Sequence, residues 1–486
     1  MGPVLMFLLD AFRPPGGRAT APRQRLALLA GRLAGVASRQ LGRGGGTAVP
    51  GLVAGRIAPD LVEALGGFER GTVLVTGTNG KTTTSHLLVA AARAAGLQVL
   101  ANPSGSNLER GVLGTLVEAA SALGDLPSTA GRTAVLEVDE AVVATLLPRI
   151  HPRVAVFLNL FRDQLDRYGE VDSVARGWWR ALEAEGGGPT LVLNADDPSV
   201  AQLAEVARGD VVFFGIDDLS AALPAAEHAA DARFCRCGAS FEYTARFIGH
   251  AGLWRCASCH RARPALTVSA RHVHLDEDGC TFELVTPQGT LTLALPLAGL
   301  HSIYNALGAA AAAFALGLPP EATVAALTGA GPAFGRQERF TVGGREVRVL
   351  LAKNPAGLNE TVRTLAAARR PLHLLWLLND DIQDGRDVSW IYDADIEVLA
   401  GRTATLVAGG SRADDLALRL HLGGLDPQDV TPGVATALDA ALDRTPEGAR
   451  LDIVATYTAM LAVREVLAAR SGAGHYWEAR PSEVAR

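Results

Sequence analysis

The stretch Thr76–Thr84 reads TGTNGKTTT and follows an apolar run, Thr72–Val75. An Ala/Leu-rich stretch with helical spacing comes next. Strand, glycine turn, Lys-Thr and helix make the layout of a phosphate-binding loop. Gly77 and Gly80 let backbone N–H groups close around phosphate oxygens where a Cβ would obstruct. The start of the following helix adds partial positive charge. Lys81 supplies a compact, mobile cation, and the Thr82 hydroxyl suits Mg²⁺. Phosphate-binding candidates are therefore Thr76, Gly77, Thr78, Asn79, Gly80, Lys81, Thr82 and Thr83. Val75 stands where the common GxxxxGK[ST] spacing has its first glycine.

Of 45 Lys and Arg residues only two are lysine, Lys81 and Lys353. Arginine is a planar, always-charged fork; lysine is a point charge on a flexible stem. A lysine that survives so strong a bias marks a position where only lysine serves.

The chain has 486 residues, enough for two or three domains, and is 48% hydrophobic and 20% charged, which is globular. A net charge of −6 argues against bulk nucleic-acid binding. No apolar run is long enough to span a bilayer. Met1–Phe12 is apolar but short, without the basic lead and cleavage site of a signal peptide. Four of the five cysteines have metal-type spacing, which fits a reducing, cytoplasmic setting.

Residues 1–48 form a basic segment and linker. Seven arginines (13, 18, 23, 25, 32, 39, 43) face one acid, Asp10. Leu26, Leu29, Leu33 and Val36 recur near helical spacing. One reading is a basic amphipathic helix touching an anionic membrane surface; the other is a helix packed on the main domain with a solvated arginine face. Gly42–Gly46 reads as a flexible linker.

Between 70 and 217, apolar runs at Thr72–Thr76, Ala134–Glu137, Val154–Leu160, Thr190–Asn194 and Val211–Gly215 alternate with helical stretches. That predicts a doubly wound, mostly parallel sheet with ligands at the carboxyl ends of its strands. Alternating runs at Leu266–Leu275, Cys280–Thr286 and Leu291–Leu295 predict an antiparallel meander. A second α/β set has strands at Val347–Ala352, Leu372–Leu378, Thr405–Ala408 and Asp452–Ala455. The expected fold is therefore α/β, with a central domain at 49–333 and a smaller Rossmann-like domain at 334–486.

Glu137, at a strand end beside the phosphate loop, is placed to hold Mg²⁺ with Thr82. A helix N-cap is the competing reading. Asp163 and Asp166 follow the next strand. Cys235/Cys237 and Cys256/Cys259 form two short pairs separated by 18 residues, the spacing of a four-thiolate Zn²⁺ site in a zinc-ribbon insertion at about 232–265. Cys280 stands outside it. His301 and Asn305 share a helix face, and Asn can pair with an adenine edge. Arg336 sits at the domain junction, where it can reach a γ-phosphate on closure. Lys353 and the acid-rich loop 379–390 end strands of the second domain.

TGTNGKTTT, VLEVDE, LNADDP, GLHSIYN and FGRQERF, in this order, resemble the Mur ligases, ATP-dependent amide ligases of cell-wall synthesis. NLFRDQLDRYGE, the four cysteines, KNPAGLNE, DGRDVSW and TYTAML resemble the MurT-type synthetase subunits within that family. The resemblance implies ATP, Mg²⁺ and a structural Zn²⁺. It also implies activation of the α-carboxyl of D-isoglutamate in the lipid II stem peptide as an acyl phosphate, followed by amidation with ammonia. It implies a GatD-type glutaminase partner whose Cys–His pair is completed by an Asp of this chain, Asp387 or Asp384. Arg336 and Lys353 would then serve phosphate and acyl phosphate. The lysine that many relatives carbamylate is absent, and Gln164 stands where many have a metal-ligating His. About 50 residues precede the core, too few for a UDP-sugar domain, which agrees with a lipid-linked substrate at the inner face of the membrane. Two other functions are a folylpolyglutamate-type ligase and a non-catalytic nucleotide-binding protein.

Overall fold

A computed structural model describes residues 21–40, 48–103, 105–121, 132–163, 171–225, 227, 231–333 and 335–472. Residues 1–20 of the basic segment, the linker at 42–46, Gln164 and Asp166 lie outside the described residues.

Strands rich in Val, Leu and Phe with no charged interruption are stable only where both faces are covered. Five such strands form the centre of the first sheet, β1 (Thr72–Thr76), β3 (Arg132–Glu137), β4 (Val154–Phe157), β5 (Thr190–Asn194) and β6 (Val211–Ile216), and the half-exposed β2 (Gln98–Ala101) closes one edge. They run parallel, and β1 lies between β3 and β4. Successive side chains of a strand point to opposite faces. Val73 and Val75 accordingly join one core, with Leu87 and Leu88 of α3 (Lys81–Ala94) and Ile303 and Leu307 of α5 (Leu300–Ala315). Leu74 joins the other core, with Ala27, Leu28, Ala54, Val112 and Leu116 from α1 (Pro22–Gln40), α2 (Val49–Ile57) and α4 (Glu109–Ala119).

The excursion between β6 and the meander is a hairpin, β7 (Phe241–Ile248) and β8 (Ala251–Cys256). The meander strands are β9 (Val268–Leu275), β10 (Cys280–Thr286) and β11 (Gly289–Leu295). They do not stand apart: β9 pairs parallel with β6 through Phe214–Val268, Gly215–Ser269 and Ile216–Ala270. The first sheet therefore has nine strands in the order β11-β10-β9-β6-β5-β4-β1-β3-β2. An unpaired β6 edge would expose its backbone donors and acceptors, and the meander covers them.

Helix α1 packs on the body through Gln24, Ala27, Leu28, Gly31 and Gly35. A Cβ on Gly31 would stand 2.7 Å from the Pro50 carbonyl oxygen, so α1 and α2 cross in close contact. The row Leu26, Leu29, Leu33 and Val36, picked out by its spacing, faces outward.

The second sheet begins with an antiparallel hairpin, β12 (Arg336–Val342) and β13 (Arg345–Leu351). It continues with β14 (Leu372–Leu377), β15 (Thr403–Gly409), β16 (Asp429–Thr431) and β17 (Arg450–Ala455), in the order β12-β13-β17-β14-β15-β16. Apart from β12, its strands are parallel. The turn between β9 and β10 reaches across to it. Asp278 lies 2.6 Å from Arg450 and 2.7 Å from Arg339, and the buried Arg348 donates to the Glu277 carbonyl at 2.6 Å. Burial works against the Asp278 charge, but Arg450 and Arg339 outweigh it and bring the carboxyl down to about 2. The carboxyl ends of β1 and β13 thereby open on one cleft of about 620 Å³.

Candidate active site

The loop after β1 is shaped by close contacts that only glycine tolerates. Gly80 has φ +88°, and a Cβ there would stand 2.0 Å from Asn305 Oδ1. Gly77 has φ +142°, and its Cβ would meet Leu158 and the Asn159 backbone at about 3 Å. Asn159, the first polar residue beyond β4, clamps the loop: its Oδ1 accepts from Asn79 N at 2.9 Å and its Nδ2 donates to Asn79 O at 3.0 Å. The Thr78 hydroxyl exchanges hydrogen bonds with the Phe161 backbone, which fixes the loop from beneath. These bonds leave the start of α3 open to the cleft.

Lys81 is almost fully buried. Its Nζ donates to the carbonyls of Gly77 (2.5 Å) and Thr78 (3.2 Å) and to Glu140 Oε2 (2.6 Å). Burial opposes its charge, but Glu140, Asp139 and Glu137 together outweigh burial and raise its pKa above the ordinary lysine value. Lys81 is therefore a permanent cation. Glu137 is the reverse case: burial is the largest influence and raises its pKa, while Lys81, the Thr82 hydroxyl, Arg336 and Asn107 act the other way. Asn102 holds the Glu137 backbone with two bonds of 2.8 Å. A buried carboxylate beside the hydroxyl of a residue in the first turn of α3 is a hard-oxygen pair. Thr82 and Glu137 thus fit a Mg²⁺ ion.

Lys353 follows β13 and pairs across the cleft with Asp163, which lies after β4. Burial raises the Asp163 carboxyl and Lys353 lowers it. The second oxygen of Asp163 is buried without a hydrogen-bond partner. Asn354 caps α6 (Pro355–Ala366) by accepting from Gly357 N at 2.8 Å, and it exchanges amide bonds of 3.2 and 3.0 Å with Asn79. Two consecutive residues between β13 and α6 thus bind the loop system of the first sheet.

Thr78, Asn79, Gly80, Lys81, Thr82, Thr83, Glu137, His301, Asn305, Arg336 and Lys353 all border the cleft. Thr76 and Gly77 lie behind it, the first with its hydroxyl buried and the second accepting from Lys81. Asn305 is committed to packing on Gly80, and its carbonyl accepts from Thr84 Oγ1 at 3.3 Å. His301 is held neutral, with a pKa lowered to about 4 by burial and by Arg363 and Arg336. Burial likewise lowers the Arg336 pKa against the pull of Glu137 and Tyr457. Asn194 and Asp197 are structural: Asn194 donates to Leu158 O at 2.8 Å, and Asp197 caps the turn that follows it.

Sequence reading passed over Glu140 as the partner of Lys81 and Asn354 as the partner of Asn79. Nor does it give Asn159 a role. The strand-end position of all three was the available signal.

Asp384 and Asp387 are not among the residues that line the cleft. Asp384 is buried and accepts from the backbone and hydroxyl of Thr458. Asp387 is exposed, and its carboxyl is held below the ordinary range by bonds from Ser389. Ile382 and Gln383 of the same loop border the cleft.

Next to the hairpin, the sulfurs of Cys235, Cys237, Cys256 and Cys259 lie within 4.8 Å of one another as free thiols. Cys235–Cys259 is 3.6 Å and Cys237–Cys256 is 3.4 Å. Backbone N–H groups of Ser258 and Cys259 point at Cys256 Sγ. The Cys259 thiol is drawn down to about 6, first by a backbone bond from Arg261. Four sulfurs this close around one centre are the donor set of a tetrahedral metal site.

Two family models match the chain: the Mur ligase middle domain over residues 75–253 and the MurT ligase C-terminal domain over residues 351–460. The MurT subunit of lipid II isoglutaminyl synthase (glutamine-hydrolysing) from Streptococcus pneumoniae is 33% identical over 453 residues, 92% of this chain and 97% of the relative. Among solved structures, a pseudomurein peptide ligase type C from Methanothermus fervidus superposes with a TM-score of 0.62 at 23% identity, over 81% of this chain and 78% of the other. A MurF ligase from Thermotoga maritima in complex with ADP gives 0.61 at 15% identity, over 86% and 84%. These two likenesses establish the fold, and the extent of the Streptococcus match establishes the branch. The chain belongs to the Mur ligase family, in its MurT branch, and is an ATP-dependent carbon–nitrogen ligase of that family.

Proposed function

We propose that this chain is the synthetase subunit that amidates the α-carboxyl of D-isoglutamate in the lipid II stem peptide. The observation that carries the reading is the meeting of Lys81, Glu137 and Arg336 with Lys353, two lysines from two sheets, around one cleft. A carboxylate is inert to ammonia until one of its oxygens carries a phosphoryl group, which makes it a mixed anhydride with phosphate as leaving group. A substrate carboxylate oxygen attacks the γ-phosphorus of ATP, and the bond to ADP breaks. Lys81 and Arg336 offset the negative charge that gathers there, and Lys353 is within reach of the acyl phosphate. Ammonia then adds to the acyl carbon, phosphate leaves, and a proton is lost to give the amide. A Mg²⁺ held by Thr82 and Glu137 would supply further charge neutralisation for the nucleotide. His301 and Asn305 border the nucleotide side.

The ammonia comes from a GatD-type glutaminase partner. The chain's own cysteines are committed, four to the thiolate cluster and Cys280 to the core, where burial pushes its thiol up to about 12. Asp387, exposed on a loop whose other end borders the cleft, completes the partner's Cys–His pair; Asp384 is the second candidate, weakened by its bonds to Thr458. The cluster holds structural Zn²⁺, which metal analysis of Cys256→Ser tests through the loss of about one equivalent. The chain divides into a basic segment (1–48), an ATP-binding domain (49–333) and a partner-contacting domain (334–486). No helix among the described residues is long and apolar enough to cross a membrane, and we assign the work to the cytoplasmic face.

The test is to incubate the protein with ATP, Mg²⁺, lipid II and ammonium, and to follow phosphate release and peptide mass. The expected result is ADP, phosphate and a mass loss of about one dalton, the change from OH to NH₂. No phosphate release and no mass change would sink the reading.

A further inference from the structure

Helix α1 has two faces that a packed surface helix does not normally combine. Its inner face is made of small residues and one leucine, anchored at the end by Gln24 donating to Asp60 at 2.7 Å. Its outer face carries Leu26, Leu29, Leu33 and Val36, which are 59%, 47%, 70% and 46% exposed. At 3.6 residues per turn these four fall within about 80° of one another. Four large apolar side chains in one exposed stripe cost hydration free energy unless something covers them.

The flank of the stripe says what the cover is. Arg25, Arg32 and Arg39 are seven apart and form a single row beside it. Helix α1 contains no Asp or Glu. Arg39 is paired with Glu118 at 2.6 Å, while Arg25 and Arg32 have no acidic partner among the described residues. Arg23, on the other flank, bonds the Ile57 carbonyl. Exposed leucines beside a row of arginines match the layered chemistry of a bilayer surface, with apolar side chains at the acyl boundary and guanidinium groups among phosphates. The helix, with four arginines in 19 residues, is too charged to cross.

We propose that the outer face of α1 docks this chain on the surface of a bilayer containing anionic phospholipid. The inference rests on the reading that the substrate is lipid-linked, since docking there would hold the cleft near the headgroup that carries the stem peptide.

The experiment is flotation of the full-length chain with phosphatidylcholine vesicles that contain or lack phosphatidylglycerol and are free of lipid II. Omitting lipid II separates docking from catalysis, because vesicle binding can fail while amidation of detergent-dispersed lipid II succeeds, and the reverse. The wild-type chain should float with the anionic vesicles and much less with the neutral ones. Leu29→Asp/Leu33→Asp and Arg25→Glu/Arg32→Glu should each lower binding at least about 10-fold, with ammonium-dependent amidation of dispersed lipid II unchanged. Raising salt from 0.1 to 1 M, which shortens the screening length from about 10 to 3 Å, should release the wild-type chain. If the leucine pair fails to fold, the arginine pair and the salt series decide alone. Failure of the wild-type chain to float, or equal binding by the variants, overturns the proposal. So does a light-scattering mass that falls from dimer to monomer in the leucine pair, which would make the stripe a contact between copies.

Discussion

The two sheets bring one lysine each to the same cleft and hold it in opposite ways. Lys81, beyond β1, is fixed by carbonyls of its own loop and by Glu140, all within the first sheet. Lys353, beyond β13, is about a quarter exposed and is held by Asp163 of the other sheet. The first lysine is in place whether or not the second sheet is near. The second has a partner only when the two sheets are apposed. The difference separates a lysine fixed within one sheet from a contact that reports assembly of the cleft, and it predicts different consequences for removing each.

Lys81→Ala should have the largest effect, a loss on the order of 10³-fold in ammonium-dependent turnover, read as phosphate release. It also leaves Glu140 buried without its cation, so the melting temperature should fall. Asp387→Ala should come next and should divide the assays: glutamine-dependent amidation drops on the order of 10²-fold, and ammonium-dependent amidation is spared. Equal loss in both would remove Asp387 from the partner's triad. Lys353→Met should slow turnover by about 10-fold and, by stranding the buried Asp163, cost on the order of 3 kcal/mol of stability. Adding Asp163→Asn should restore most of the stability and none of the rate. If the double variant recovers the rate, Lys353 is only a structural counter-ion and the contrast between the lysines fails.

The smallest effect is in pH. Burial and two arginines depress the His301 pKa to about 4, whereas an unfolded histidine titrates near 6.5. Below 6.5 the unfolded chain binds a proton that the folded chain refuses, so this residue's share of stability is present above pH 6.5 and lost as pH falls toward 4. His301→Gln should flatten the melting temperature between pH 6.5 and 4.5 relative to wild type.

Much of this was legible because the relevant residues are local. The loop glycines, Lys81 and the strand Thr72–Thr76 follow from adjacent residues, and the structure keeps the bounds of β1, β5 and β10. What was missed is non-local. Arg336–Val342 is charged and followed by Gly343-Gly344, so it reads as a junction; pairing with β13 makes it a strand. Gln98–Ala101 is a short strand beside β3 with no strong pattern. The meander is legible as a meander, but its pairing with the first sheet is not, because nothing in residues 217–267 reveals that β9 returns to β6. In α1 the spacing identified the leucine row but not its side, because the face that packs is built from Ala27, Gly31 and Gly35, which leave no apolar signature. Asn354 and Asp163 owe their importance to partners that lie far along the chain, Asn79 and Lys353.

The central claim is that this cleft phosphorylates a carboxylate before nitrogen arrives. Lipid II labelled with ¹⁸O in the D-isoglutamate α-carboxyl, turned over with ATP, Mg²⁺ and ammonium, tests it directly. Formation and collapse of an acyl phosphate must carry one labelled oxygen into inorganic phosphate for each amide made. Unlabelled phosphate alongside amide formation would contradict the account.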